Sequence, residues 1–105
     1  MFEIFQSEKN HKFYFNLKAK NGQIILSSQA YADIHGAKNG INSVKNNCED
    51  DELYERKTAA NGKFHFNLKA ANGMVIGSSQ MYASEAGMEN GISSVKKHAI
   101  DAEIK

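Results

Sequence analysis

The chain says nearly the same thing twice. Phe13-Tyr14-Phe15-Asn16-Leu17-Lys18-Ala19-Lys20-Asn21-Gly22 returns, 51 positions later, as Phe64-His65-Phe66-Asn67-Leu68-Lys69-Ala70-Ala71-Asn72-Gly73. Laying residues 12–48 on 63–99 without a gap gives 22 identities in 37 positions, through Ser27-Ser28-Gln29-x-Tyr31 against Ser78-Ser79-Gln80-x-Tyr82 and Asn39-Gly40-Ile41-x-Ser43-Val44-Lys45 against Asn90-Gly91-Ile92-x-Ser94-Val95-Lys96. A tandem duplication of this kind restricts the fold to two copies of one supersecondary unit, residues 1–51 and 52–105. Half of a 105-residue chain buries too little surface to stand comfortably alone, so the two repeats are expected to share one core as a single domain.

Local patterning sets the order of elements within each repeat. Residues 1–6 alternate as a first strand with Phe2 and Ile4 on one face and Phe5 on the other, and residues 54–57 repeat it across a one-residue gap. In the second strand Phe13, Phe15 and Leu17 alternate with Tyr14, Asn16 and Lys18, and Phe64, Phe66 and Leu68 alternate with His65, Asn67 and Lys69. Period two means one buried face and one wetter face, so these six apolar residues are expected to anchor the core, and Phe13→Ala or Phe64→Ala to unfold or strongly destabilise it.

Asn-Gly pairs at 21–22, 61–62 and 72–73 favour tight two-residue type I′ turns. The third strands are then expected at 23–27 and 74–78. In that register Lys18 stands opposite Ile25, which places Ile25 and Ile76 on the outer face beside Lys18 and Lys69. A turn of another length reverses the placement. Past Tyr31 and Tyr82 the spacing becomes helical: Ala37, Ile41, Val44 and Cys48, then Met88, Ile92, Val95 and Ala99, form one apolar stripe each. Asp33 and Ser84 are the expected N-caps, and Gly40 and Gly91 inside the helices signal a close approach. A short strand is expected after each helix. The expected fold class is α+β: two tandem β-β-β-α(-β) repeats sharing one mainly antiparallel sheet, with both helices on one face.

Composition removes several classes of function. The net charge of +1 argues against dominant phosphate binding, although residues 1–48 carry +3 and residues 49–105 carry −2. Strand-like sequence from Phe2 leaves no room for a signal peptide, no apolar run reaches the roughly 20 residues of a membrane span, and the one cysteine has no internal disulfide partner. These features predict a soluble cytoplasmic protein. The acidic run Glu49-Asp50-Asp51-Glu52 reads as a solvated connector.

The motifs F-x-F-N-L-K-A-x-N-G, S-S-Q-x-Y and N-G-I-x-S-V-K closely resemble those of the YegP-like family of small uncharacterised bacterial proteins, over nearly the whole chain. The resemblance implies paired β-β-β-α-β motifs in a single sheet with exchange of the last strands. It implies no activity, cofactor or catalytic residues.

Candidates for chemistry are few. Cys48 is Ala99 in the second repeat, which points to a packed thiol rather than a nucleophile. His11, His35, His65 and His98 lack ligand spacing, and no phosphate-binding loop is present, so neither metal, cofactor nor catalysis is expected. The repeated Ser-Ser-Gln-x-Tyr reads first as a structural turn from strand to helix. What remains is a partner surface on the outer sheet face: Tyr14, Asn16, Lys18 and Ile25, with His65, Asn67, Lys69 and Ile76. The expected function is a noncatalytic binding or interaction module. Self-association is its simplest form, because exposed Ile25 and Ile76 gain by being covered. The alternative is single-stranded nucleic acid held on the same face.

Overall fold

The computed structural model describes residues 1–104. The first repeat holds β1 (Phe2–Gln6), β2 (Phe13–Lys18), β3 (Ile24–Ser28) and α1 (Ile34–Asn47), and the second holds β4 (Tyr54–Thr58), β5 (Phe64–Lys69), β6 (Val75–Ser78) and α2 (Glu85–Ala99). A 3-10 turn, Asp51–Leu53, joins the repeats. All six strands form one antiparallel sheet in the order β1-β2-β3-β6-β5-β4. The repeats therefore meet at β3 and β6, where Ser27 stands opposite Ser78 and Ser28 opposite Gly77.

The helices form where the stripes predict, and all eight stripe residues are buried. Asp33 and Ser84 cap them, each side chain accepting from a backbone N–H three residues on, at 2.8 Å from Gly36 and 3.0 Å from Gly87. Both helices lie on the face that carries Phe2, Phe15, Leu17, Tyr54, Phe66 and Leu68, and one apolar cluster runs through sheet and helices. Each helix packs on strands of both repeats: α1 reaches β6, and α2 reaches β2 and β3. The helical glycines are explained chiefly by tyrosines, joined at Gly40 by Phe15 of β2, whose Cε2 an added Cβ would approach to 2.9 Å. The rings of Tyr31 and Tyr82 lie on Gly40 and Gly91, where an added Cβ would come within 2.7 Å and 2.6 Å of the ring Cζ. Tyr31 also stacks on Phe15 and Tyr82 on Phe66, with centroids 6.1 and 6.4 Å apart.

Ser-Ser-Gln-x-Tyr has the structural task its sequence suggests. Ser28 Oγ accepts from the Phe15 N–H at 2.8 Å and donates to the Gln29 carbonyl, and Ser79 does the same for Phe66 and Gln80. Tyr31 and Tyr82 then pair with Phe13 and Phe64 as isolated antiparallel bridges. Phe13 and Phe64 remain half-buried beside them, whereas Phe15, Leu17, Phe66 and Leu68 are fully buried. Four of the six expected anchors thus carry the core, and of the other two Phe64 packs against it.

The hairpins depart from expectation, with consequences for the site. Gly22 is left-handed (φ 85°), but Asn21 is not. The Gly22 N–H donates to the Ala19 carbonyl, the Ala19 N–H donates to the Gln23 carbonyl, and the Asn21 side chain accepts from the Gln23 N–H. The turn therefore has Lys20 and Asn21 at its centre, with the glycine serving as the left-handed bulge residue that follows. Gly62 and Gly73 repeat this arrangement. A second irregularity follows: Leu17 pairs with Leu26, but Lys18 pairs with Ile24, so Ile25 is the extra residue. Ile76 is its counterpart between the pairs Leu68–Gly77 and Lys69–Val75. The extra residue turns inward, and Ile25 and Ile76, each 5% exposed, belong to the core.

The connector is also more than solvated chain. Asp51 accepts from Arg56 at 3.0 Å and Lys96 at 2.9 Å, and Arg56 forms a bidentate pair with Glu89 at 2.6 and 3.0 Å. These cations hold the carboxyls of Asp51 and Glu89 below the ordinary carboxylate range, chiefly through hydrogen bonds. A depressed carboxyl stabilises the fold above its unfolded pKa and loses that contribution as pH falls through its folded value. Arg56→Met should therefore flatten the decline of melting temperature on acidification, read by circular dichroism from neutral to acid pH; an unchanged slope would show that the pairs are inert.

No separate strand follows α1, because residues 51–53 coil straight into β4. After α2 a single parallel bridge joins Ile104 to Phe2, and the Phe2 N–H donates to the Glu103 carbonyl at 2.8 Å. This is the exchange of ends implied by the resemblance, reduced to one bridge among the described residues. Lys105, the last residue of the expected strand at 102–105, lies outside them.

Candidate functional site

The helices cover one side of the sheet and leave the other open. Strand parity places Tyr14, Asn16 and Lys18 of β2 and His65, Asn67 and Lys69 of β5 on that open face, every one of them partly exposed. Six of the eight expected surface residues thus lie on one face. Ile25 and Ile76 do not, for the bulge has turned them inward, and Ile24 and Val75 pair with the lysines instead.

Registers of the five strand pairs align a polar row across the whole sheet: Glu3, Asn16, Ser27, Ser78, Asn67 and Glu55. In the second half this row is wired together. Ser78 Oγ donates to Asn67 Oδ1 at 2.6 Å, Asn67 Nδ2 donates to Glu55 Oε1 at 3.1 Å, and Lys69 Nζ donates to Glu55 Oε2 at 2.9 Å. The Glu55 carboxyl is accordingly held below its usual range, first by Lys69 and then by Asn67. In the first half Lys18 Nζ lies 3.2 Å from Glu3. Beside the row, Phe5 stacks on Tyr14 at 5.7 Å, and the equivalent positions on the other side are Lys57 and His65. Ser27 and Ser78 stand out in the sequence as part of the repeated polar set, whereas Glu3 and Glu55 do not, because their membership depends on register across strands rather than on spacing along one.

The two lysines are tied up in these partly exposed pairs. Lys18→Ala with Lys69→Ala is expected to leave the melting temperature within a few degrees of the parent, since exposed ion pairs contribute little. A large drop by differential scanning calorimetry would make them structural.

A separate cleft of about 760 Å³ opens between the β2–β3 hairpin and the end of α2, where Lys20, Lys97, His98, Asp101 and Glu103 converge. His98 Nδ1 lies 2.8 Å from the Ser94 carbonyl, in the role that Asn47 Nδ2 plays for Ser43 in the first repeat, also at 2.8 Å. That equivalence, Asn47 to His98, was visible in the repeat alignment. Cys48 is buried in the core, and burial pushes its thiol up. Among the described residues no group of three or more His, Cys, Asp or Glu is placed to hold a metal ion, and no helix is long and apolar enough to cross a membrane.

Comparison with known proteins agrees with the repeat. The family model described as a domain of unknown function (DUF1508) matches twice, at residues 8–55 and 59–105. The UPF0339 protein in the ptx operon 5' region of Stutzerimonas stutzeri is 54% identical over 98% of this chain and 92% of its own length. The UPF0339 protein YegP of Escherichia coli is 51% identical over 99% of this chain and 94% of its own length. Among solved structures, the solution structure of Escherichia coli YegP, titled a protein of unknown function, superposes with a TM-score of 0.93 at 50% identity, covering 99% of this chain and 89% of that one. A UPF0339 protein of Shewanella oneidensis gives 0.92 at 46% identity, over 99% and 87%. Two model matches spanning both repeats, with these full-length bacterial relatives, make the chain a member of the DUF1508 family, whose function is unknown.

Proposed function

We propose that the chain is a noncatalytic interaction module that holds a partner protein against the open face of its sheet. The observation that carries this reading is the polar row running through all six strands on a side that no helix covers. Its donors and acceptors sit on rigid strands, and its lysines and glutamates arrive already paired, which suits a flat, polar protein surface of low net charge. Phosphate backbones fit less well, because Lys18 and Lys69 are both engaged by carboxylates of their own chain. Apart from the Met1 amine, lowered by burial and by Lys45, the displaced pKa values belong to ion-paired groups, ring-packed tyrosines and the buried thiol, which supports a structural rather than catalytic origin for these. A reducing cytoplasm accords with the lone buried thiol.

Native mass spectrometry of the protein purified from its own cells, at low and at raised salt, tests the reading. A discrete second protein that survives salt, and is lost from an Asn16→Arg/Asn67→Arg variant, is the expected result. A nucleic-acid mass that salt removes would overturn it in favour of single strands stacked on Phe5 and Tyr14. A bare chain at both salt concentrations would overturn it outright.

A further inference from the structure

The β2–β3 hairpin of the first repeat faces α2 of the second, and two hollows open between them. The larger is the cleft of about 760 Å³ described above. The smaller, of about 390 Å³, is lined by Gln23 on the hairpin and by Asn90 and Ser94 on the helix. Lys20 and His98 line both, so the two hollows adjoin there and make one groove. Together they have room for a small organic molecule. Ile104, bridged parallel to Phe2, already heads along β1 away from the hairpin, and the described wall of the groove ends at Glu103.

The repeats agree in the frame of this groove and differ in its chemistry. Asn90, Gly91 and Ser94 have identical counterparts in Asn39, Gly40 and Ser43, whereas Lys20, Gln23, Lys97 and His98 stand where the other copy has Ala71, Met74, Asn46 and Asn47. The histidine shows what the change adds. Asn47 Nδ2 gives both of its hydrogens to Ser43, at 2.8 Å to the carbonyl and 3.3 Å to Oγ. His98 sets Nδ1 at 2.8 Å from the Ser94 carbonyl, which can only accept, so Nδ1 carries a hydrogen and Nε2 is the ring nitrogen to spare. Among the described residues neither Lys20 nor Lys97 pairs with a carboxylate, whereas Lys18, Lys69 and Lys96 each do.

We infer that this groove binds a small hydroxylated organic molecule bearing one oxyanion group, a carboxylate or a phosphate. The oxyanion lies where the hollows adjoin, and Lys20, Lys97 and Nε2 of a protonated His98 supply charged donors to it. The hydroxyls extend into the smaller hollow, where Gln23, Asn90 and Ser94 offer uncharged donors and acceptors. Asp101 and Glu103 line only the larger hollow, and their charge repels a second anionic group, so a polyanion does not fit. The groove is on the helix side of the sheet, and this goes beyond the partner reading above, which concerns the open face.

Nitrogen–proton NMR of the full chain, titrated separately with sorbitol phosphate, gluconate, sorbitol and inorganic phosphate, tests the inference. Saturable shifts of the Lys20, Gln23 and Ser94 amides and of the His98 ring are expected with at least one of the two polyol anions, and which of them binds tells phosphate from carboxylate. Sorbitol and inorganic phosphate should bind about tenfold more weakly, since each lacks one half of the contacts. Lys20→Ala/His98→Asn, which installs the residues of the other copy, should weaken binding by about the same factor with circular dichroism unchanged. Lys97→Asn, at an exposed helix position, should weaken it as well. Asn16→Arg/Asn67→Arg on the open face should leave it intact. The inference is overturned if neither polyol anion moves these signals, or if the groove variants bind as the parent does. Inorganic phosphate binding as tightly as the polyol anions would overturn it too, as an adventitious ion only.

Discussion

Phe66→Ala is expected to cost about 3 to 5 kcal/mol, a large part of the roughly 5 to 15 kcal/mol that holds a domain of this size. Phe66 is fully buried, meets Tyr54 edge-on at 5.6 Å and Tyr82 in a stack at 6.4 Å, and shares the cluster with residues of both helices. Removing its ring opens a cavity that Tyr82 cannot fill while its backbone stays bridged to Phe64. Phe13→Ala and Phe64→Ala, at half-buried sites, should cost distinctly less. Urea denaturation of the three variants gives the order directly. A Phe66→Ala protein as stable as Phe13→Ala would mean that the core is centred elsewhere.

The second large effect is expected at the seam between repeats. Leu26 and Gly77 occupy equivalent positions, and the seam has room for only one side chain: a Cβ on Gly77 would lie 2.9 Å from Leu26 Cγ and 2.9 Å from the Ser27 carbonyl oxygen. Gly77→Leu forces a full leucine into that space and should cost about 3 kcal/mol, at the upper end for overpacking. Because the strands are related by a pseudo-twofold axis, the exchange Leu26→Gly/Gly77→Leu should recover much of the loss. The double variant melting above Gly77→Leu alone is the expected outcome of a double-mutant cycle. Strict additivity, with Leu26→Gly simply adding its own cost, would mean that the two sites do not share one space.

What could be read from the sequence was whatever depends on neighbours along the chain. Alternation in residues 13–18 and 64–69, the stripes ending at Cys48 and Ala99, and the caps Asp33 and Ser84 all express periods of one strand or one helix, and all took the form expected. The resemblance located the same fold. The placement of Ile25 and Ile76 failed because it depends on how a turn divides its residues. Asn21 accepts a bond from Gln23 and has no positive φ, so only Gly22 supplies the left-handed step, and the bulge beyond it changes the parity of Ile25. Of the candidate surface, the positions on β2 and β5 were legible from parity alone. Glu3 and Glu55 were not, since their place in the row is set by pairing to another strand. Nor did any pattern connect Asp51, Arg56, Glu89 and Lys96, which meet only when side chains of α2 reach the 3-10 turn and β4 in the folded chain.

The crossing of each helix onto the other repeat's strands has a consequence for how the molecule comes apart. The β3–β6 seam is short, with two residue pairs in register, and by itself would separate easily. Yet pulling the repeats apart would also strip α2 from β2 and β3 and α1 from β6, exposing both apolar stripes at once. Partial opening with one half intact has no stable intermediate to rest in, so unfolding should pass through a single cooperative transition, and the slowest-exchanging amides should be shared between β2 and β5. Repetition runs in units of about fifty residues; cooperativity takes in both of them together.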